Sequence, residues 1–504
     1  MSVVPLFREV YGFQTDPPVA DMPNGYMRRL INFLPTPGIA PLRRRGGIAN
    51  AATLGVTNSA VKRLCWAPWS GVPMQGIAVL ANLVTHRFED PNGGTSSTAG
   101  TFTALPGWPV FHRLAGKTNG GLVIFPAGVG QVAQKLSASG NIANLGGTPP
   151  TGGRGASWGD YFILARDVTS TDKESRMWFS AVGDPEIWNT TTGYIDFPEK
   201  IEAVVPLGKV IFVLGPTGVH ILRGDTPPPG SNFTLDKFVF KQGLSDERGV
   251  AVYKDSVIWA NRSGVWKTDG GNLVDLTRQG GISTFWPIFY GQSSSDTIQV
   301  AVFRNYLFIC SKATGLTDPV TLIYDLEKNS WWEWNNLDAN VGGLVNMPGL
   351  FGTYDEDLLF GGSGNVIRKI STAFDWSSNA SDANGQNYSA ILYTPSYRFG
   401  IDSYKRIKKT WVTLQSSGSA AGTIAHSLSG EPDVATAPSD LTTYDTLSVG
   451  AQTAKRLRLH SFLGKRFEEI QFRLQNTNQA DWAIWALEAD INLGDPTGAS
   501  DVHA

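Results

Sequence analysis

The chain has 504 residues, including 56 glycines, 29 prolines and 16 tryptophans, and its 42 Lys plus Arg against 44 Asp plus Glu give a formal net charge of −2. Near neutrality argues against tight nucleic-acid binding by phosphate neutralisation and leaves room for passing contact with DNA, two cysteines exclude a disulfide framework, and no stretch approaches the roughly 18 apolar residues of a membrane span. Many turns and many large aromatic residues point to an all-β chain, long enough for one large core and a second domain.

The N-terminus, MSVVPLFREVYGF, carries an acidic residue and lacks the basic start and apolar run of a secretion signal, so synthesis and assembly in a cytoplasm are expected. Residues 1–60 read as an extended, irregular arm with short ordered pieces packed on the propeller or a neighbour, because Pro17, Pro18, Pro23, Pro35, Pro37 and Pro41 break any long element. Arg43, Arg44 and Arg45 stand together in a loop bounded by Pro and Gly. They are candidates for contact with a neighbouring subunit, an adaptor or DNA in a channel, against the plainer reading of solvated loop charge.

From Val61 to about residue 390 one grammar recurs: an apolar strand, a glycine-centred turn, a second apolar strand. It reads VIFVLGPTGVHIL at Val210–Leu222, VIWANRSGVWKT at Val257–Thr268 and DLLFGGSGNVIRKI at Asp357–Ile370. The turn glycines are Gly218, Gly264 and Gly364, each able to take the positive φ of a tight hairpin. The first two lie 46 residues apart, within the roughly 40–50 residue period of four-stranded propeller blades. VTLIYDLEKNSWWEWNN at Val320–Asn336 continues the pattern with a polar turn in place of glycine. Counting strand pairs predicts a β-propeller over 61–390 of about seven blades, with six to eight allowed. Cys65 and Cys310 lie in apolar strand contexts and read as buried thiols. The Gly-, Ser- and Pro-rich stretches Asp90–Gly107 and Ser137–Ser157 read as exposed loops.

A polar run at Ser377–Ser389 marks the next boundary, and 391–504 reads as a β-sandwich-like domain. In FEEIQFRLQ, Ile470, Phe472 and Leu474 alternate with polar residues, and in KRLRLH Leu457 and Leu459 alternate with Arg456, Arg458 and His460. The cations Lys405, Arg406, Lys408, Lys409, Lys455, Arg456, Arg458, Lys465 and Arg466 fall where alternation can gather part of them on one wet face. They form a second candidate interface or DNA-channel group, beside acidic Glu468 and Glu469.

Motifs for chemistry are weak, and no catalytic, cofactor or metal residues are assigned. The six histidines have no close pair of the kind a zinc site needs. AGKT at Ala115–Thr118 lacks the leading glycine of a phosphate loop. GASWG at Gly155–Gly159 matches a nucleophile-elbow string, but a Gly- and Pro-rich loop precedes it and a strand follows, where an elbow needs a strand and then a helix. Propeller sialidases would carry a repeated Ser-x-Asp-x-Gly-x-Thr-Trp turn, which is missing here. Trp331, Trp332 and Trp334 are candidates for a sugar-stacking platform, against the plainer reading of core.

Several segments together carry a resemblance. INFLPTPG at Ile31–Gly38 with LRRRGGI at Leu42–Ile48, then RMWFSAVGDPEIWN at Arg176–Asn189, VIFVLGPTGVHIL, FKQGLSDERGVA at Phe240–Ala251, TLIYDLEKNSWWEW and GKRFEEIQFRLQ resemble, in order, tail proteins of short-tailed double-stranded DNA bacteriophages. The resembled family is the tail hub, nozzle or packaged-DNA stabilisation group. The resemblance implies a structural, non-enzymatic virion protein without cofactors. Six copies would form a ring below the portal and adaptor, or head–tail connector, and a needle, plug or fibre would close its far end. The lumen would hold packaged DNA, touch it transiently and conduct it at ejection. Asp184, Pro185 and Trp188 of the Asp-Pro turn then read as structural, with Trp188 filling space between blades. The alternative expectations are a receptor- or glycan-binding propeller of a tail fibre or appendage, and a propeller enzyme acting on carbohydrate.

Overall fold

The structure, a computed structural model, describes most of residues 3–493. It leaves out chiefly 17–21, 36–41, 70–74, 90–95, 115–119, 293–297, 311–319, 336–343, 348–356, 371–388, 398–404, 428–441 and 460–469, some shorter stretches, and both ends. The boundary run Ser377–Ser389 therefore lies almost wholly outside the described residues, as do Gly364 and Glu468 and Glu469.

The described residues form the seven blades of a β-propeller joined to a β-sandwich. The inner strands are Val61–Ala67, Val110–Arg113, Gly152–Trp158, Ala203–Leu207, Val250–Tyr253, Gln299–Phe303 and Leu344–Met347. They meet in order around the ring, blades 4 and 5 through a shared apolar cluster, and the seventh returns to the first. Blade 7 takes its outermost strand, Ala49–Thr53, from the N-terminal arm, so the closing seam is stitched by residues far apart in sequence.

Period-two alternation explains the continuous apolar runs. In the strand Val210–Leu214, Ile211 and Val213 pack towards blade 3, while Phe212 and Leu214 pack towards blade 5. A strand buried on both faces has no polar face to show. The glycine-rich stretch read as a loop contains two strands, Ala143–Asn144 and the inner strand Gly152–Trp158; likewise Ser96–Thr101 is the outer strand of blade 1. Glycine serves close approach in that inner strand. A Cβ on Gly155 would lie 2.7 Å from Pro126, and one on Gly152 would lie 2.8 Å from the Ala165 amide nitrogen. Gly218 serves the same purpose and does not sit at positive φ: a Cβ there would stand 2.9 Å from Phe238 and from the Phe240 carbonyl. Gly264 does take positive φ, at +156°, and Gly208 in a two-residue turn sits at +62°.

The sandwich has two sheets. One runs from Ile391–Tyr393 through Gln471–Asn476 and Ala420–Ser427 to Thr442–Val449; the other orders Val3–Phe7, Ala483–Leu493, Lys405–Ser416 and Gln452–Leu459, with Leu42–Arg43 added to Ala483–Leu493. Phe472, Leu474 and Ile424 of the first pack with Val412, Leu414, Leu487 and Ala489 of the second in one cluster. The arm strand Arg29–Ile31 lies between blade 6 and Ile391–Tyr393, pairing with Glu333 on one side and the sandwich on the other. Blade 6 and the first sandwich sheet thereby become one eleven-stranded sheet. The described pieces of the first 53 residues pack on the rest of the chain and supply strands to the sandwich, blade 6 and blade 7. Among the described residues no helix is long and apolar enough to cross a membrane.

Candidate functional site

The arm fixes how the candidate residues are presented. Arg29 donates from Nε and Nη2 to the two carboxylate oxygens of Glu333, at 2.8 Å each. Burial pulls the Arg29 pKa down and the Glu333 charge pushes it up, with a net rise. Asn32, at φ 60°, is the knot of this junction. Its amide donates to the Glu333 carbonyl, its Oδ1 accepts from the Asn335 amide and from Arg45 Nε, and its Nδ2 donates to the Ser389 carbonyl. Arg45 also donates to the Asn335 carbonyl at 3.1 Å and lies 5.6 Å from the centre of the Trp334 ring.

This overturns the exposed-loop reading of the arginine triplet. Arg44 and Arg45 are 2% and 1% exposed and face no surface of the subunit. The reason is physical: a guanidinium is tolerated inside when fixed carbonyls and a ring receive it. Arg43 alone is half-buried, on the strand Leu42–Arg43. The proposed sugar platform falls by the same measure, since Trp331, Trp332 and Trp334 are each 0% exposed.

What the structure does bring together is the outer face of the sandwich sheet containing Lys405–Ser416. The core takes Ile407, Val412 and Leu414, a register shift follows Ile407, and alternation turns Lys409, Trp411, Thr413 and Gln415 outward. Trp411 stands between Glu488 on one neighbouring strand and Arg458 on the other. The Arg456 guanidinium lies 4.7 Å from the Trp411 ring centre and pairs with Glu488 at 2.5 Å; Arg8 of the arm donates to the other oxygen of Glu488 at 3.3 Å. Trp485 donates its indole N–H to Gln415 Oε1 at 3.1 Å. Arg43, opposite Ala483, turns to the same side, since its neighbour Leu42 faces the core. Among the described residues the face gathers Arg8, Arg43, Lys409, Arg456 and Arg458 with Glu488 and Asp490 around two tryptophans.

Sequence reasoning had named Arg43, Lys409, Arg456 and Arg458 in two separate groups and missed Arg8, Trp411, Trp485 and Glu488. The signal for Trp411 was present, because alternation in KKTWVTLQ sets it on the side opposite Val412 and Leu414. Lys405 and Arg406 lie on the same strand, Lys408 at its register shift, and Lys455 opposite Leu414. Lys465 and Arg466 lie outside the described residues.

Asp184, Pro185 and Trp188 form the outer strand of blade 3. Asp184 accepts from the Glu186 amide at 2.9 Å, Trp188 donates to the Pro185 carbonyl at 2.8 Å, and its ring packs on the cluster shared by blades 2 and 3. Ser157 of the GASWG string meets His112 Nδ1 at 2.9 Å across the same seam. A two-residue turn and the strand Tyr161–Asp167 follow it, so no strand-to-helix elbow is built. Burial pushes the His112 pKa down to about 4. At one mouth of the propeller, Glu202 collects Arg154, Arg166 and Lys200, and Arg154 reaches on to Glu247 at 3.3 Å. This polar latch ties blades 3, 4 and 5.

No family model and no curated protein matches this chain. Among solved structures it is similar to the WD40 β-propeller domain of Doa1, at 10% identity and TM-score 0.42 over 64% of this chain and 96% of that one. It is also similar to BBS1N in complex with ARL6DN, at 12% identity and TM-score 0.40 over 65% and 97%. At that level the likenesses carry no functional argument, and the β-propeller is established by the chain's own sheet order and closure.

Proposed function

We propose that this chain is a structural virion protein of the tail hub or nozzle type, forming a ring that continues the DNA channel of a short-tailed bacteriophage below its portal and adaptor. The reading rests on the ordered sequence resemblance. The structural observation that supports it is the strand Arg29–Ile31, which belongs at once to blade 6 and the sandwich. A subunit whose two domains share one sheet is stiff across its whole length, and a ring built on one repeated heterologous contact closes only when each copy holds the same shape. The propeller leaves short, protected strand edges, which suits tiling without uncontrolled edge pairing. A net charge of −2 fits a conduit that must let a polyanion pass without gripping it. Self-association into a hexamer, docking to an adaptor and to a needle, plug or fibre, and transient contact with duplex DNA are parts of the same proposal, as is residence in the virion tail after assembly in the host cytoplasm.

The test is the mass and shape of the purified full-length protein, by mass photometry and negative-stain imaging across a range of concentration and salt. A closed ring with a central hole, six subunits in mass, is the expected result. A monomer under every condition, together with its absence from purified particles, would overturn the reading.

A further inference from the structure

The outer face of the sandwich carries a set of groups that the ring proposal does not use. Two tryptophans, Trp411 and Trp485, are both only partly buried on the outer face of the sheet, whereas Phe7, the other large aromatic on its strands, is enclosed in the core. Trp411 is opposite Glu488, and Trp485, three residues earlier on that strand, is the extra residue at the register shift between Thr413 and Leu414, which returns it to the same face beside Gln415; the two rings are thus offset by two to three steps, roughly 7–10 Å at about 3.3 Å per residue. Both are pre-set: Trp411 by the Arg456 guanidinium, itself anchored on Glu488, and Trp485 by its hydrogen bond to Gln415. A second and independent feature is Asp490. It lies two residues beyond Glu488 on the same face, is 7% exposed, and its Oδ1 accepts no hydrogen bond. A buried carboxylate oxygen without a donor is costly unless a donor is supplied. Cations exceed carboxylates on the face, and Arg458 is exposed beside Trp411.

We propose that this face binds an extended anionic oligosaccharide. Sugar rings present apolar C–H faces that stack on indoles, and two indoles offset along a strand suit next-but-one rings of an extended chain. Ring hydroxyls are donors for Asp490 and the remaining lone pairs of Glu488. Acid groups on the sugar meet Arg458 and Lys409, which gives the preference for an anionic over a neutral chain. All the contact groups stand on paired strands, which hold a site more tightly than loops do. The inference goes beyond the ring proposal and does not require it.

The experiment titrates the full-length protein with polygalacturonate, with neutral dextran and with a single-stranded thymidine oligonucleotide, following tryptophan fluorescence and calorimetry. Saturable binding of polygalacturonate, with dextran much weaker, is expected. Trp411→Ala should weaken it by about tenfold, the loss of one stacking contact, while Trp411→Phe restores most of it. Because Trp411→Ala could disturb the sheet, Arg458→Ala, at an exposed edge position, is the second variant; it should lower polygalacturonate affinity several-fold with an unchanged unfolding curve. Absence of saturable binding, equal binding of dextran, or indifference of both alanine variants would overturn the proposal. Tighter binding of the oligonucleotide than of polygalacturonate would overturn it in favour of a single-stranded nucleic-acid face.

Discussion

The seams between blades and the seam between propeller and sandwich are built on opposite principles. Between blades 4 and 5 the interior of the contact is made by Ala203, Val205, Phe212, Leu214, Val219, Ile221, Val257 and Trp259, with the charged latch of Arg154, Glu202 and Glu247 beside it. Between blade 6 and the sandwich, the arm inserts Arg29, Asn32 and Arg45 against Glu333 and Asn335, and hydrogen bonds fix both register and partner. An apolar seam is strong and tolerant of small shifts, because burial is non-directional. A polar junction is weaker per unit area but admits one arrangement, since a shift leaves buried groups without partners. The propeller thus repeats a generic interface, and the place where two unlike domains must meet in one pose is keyed.

The largest expected effect is in the apolar seam. Phe212→Ala removes a side chain that is 1% exposed and should cost about 3–5 kcal/mol, from lost burial and the cavity left between two blades. Urea unfolding followed by far-ultraviolet circular dichroism measures it, and a loss under about 1 kcal/mol would mean that the blades repack easily. Next is Glu333→Ala. It strands Arg29 in a junction where the Glu333 side chain is only 1% exposed and should cost about 3 kcal/mol. It should also uncouple the two domains, so that one unfolding transition becomes two. A single transition of undiminished midpoint would show that the apolar cluster beneath carries the junction alone.

This contrast also decides what the sequence revealed. The blades were legible because alternation and turn spacing are local, and VIFVL announces its two buried faces by containing no polar residue. The inner strand Gly152–Trp158 was not, since its glycines answer to Pro126 and Leu164 in space, a pressure no neighbouring residue records. The partners of the N-terminal arm were hidden for the same reason. Prolines do break it, but most of the short pieces between them find strands hundreds of residues away, and Arg45 looks solvated only while Asn335 and Trp334 are out of view. The candidate face was half legible: alternation marks Trp411 as outward, but only pairing brings Arg8, Arg43 and Glu488 beside it.

A third prediction tests whether the seam of blades 2 and 3 is as apolar in behaviour as in composition. His112 is fully buried there against Ser157 and Phe162, and burial lowers its pKa from 6.5 to about 4. The unfolded chain therefore takes up a proton at this site at higher pH than the folded one. Stability contributed by the neutral ring is complete above pH 6.5 and is lost as pH falls towards 4. Urea midpoints measured between pH 7 and pH 4 should fall in the native protein and fall less in His112→Gln. Parallel curves would mean that the imidazole is solvated in the folded state. One titrating group acts here, so the effect is smaller than deleting a seam aromatic.

The smallest expected effect sharpens the comparison from the polar side. Arg8 and Arg29 each pair with a glutamate through a guanidinium, but the Arg8 side chain is 67% exposed where that of Arg29 is 25% exposed, and Glu488 is shared with Arg456. Water and salt screen the outer pair, and the arm must give up side-chain freedom to make it. Arg8→Ala should change unfolding free energy by less than about 0.5 kcal/mol, and that change should vanish in 0.5 M salt, while the loss in Glu333→Ala persists there. If Arg8→Ala instead costs as much as Glu333→Ala, the polar junction draws its strength from charge wherever it lies. The distinction between keyed interior and solvated face, which separates a domain weld from a surface open to ligand, would then not hold.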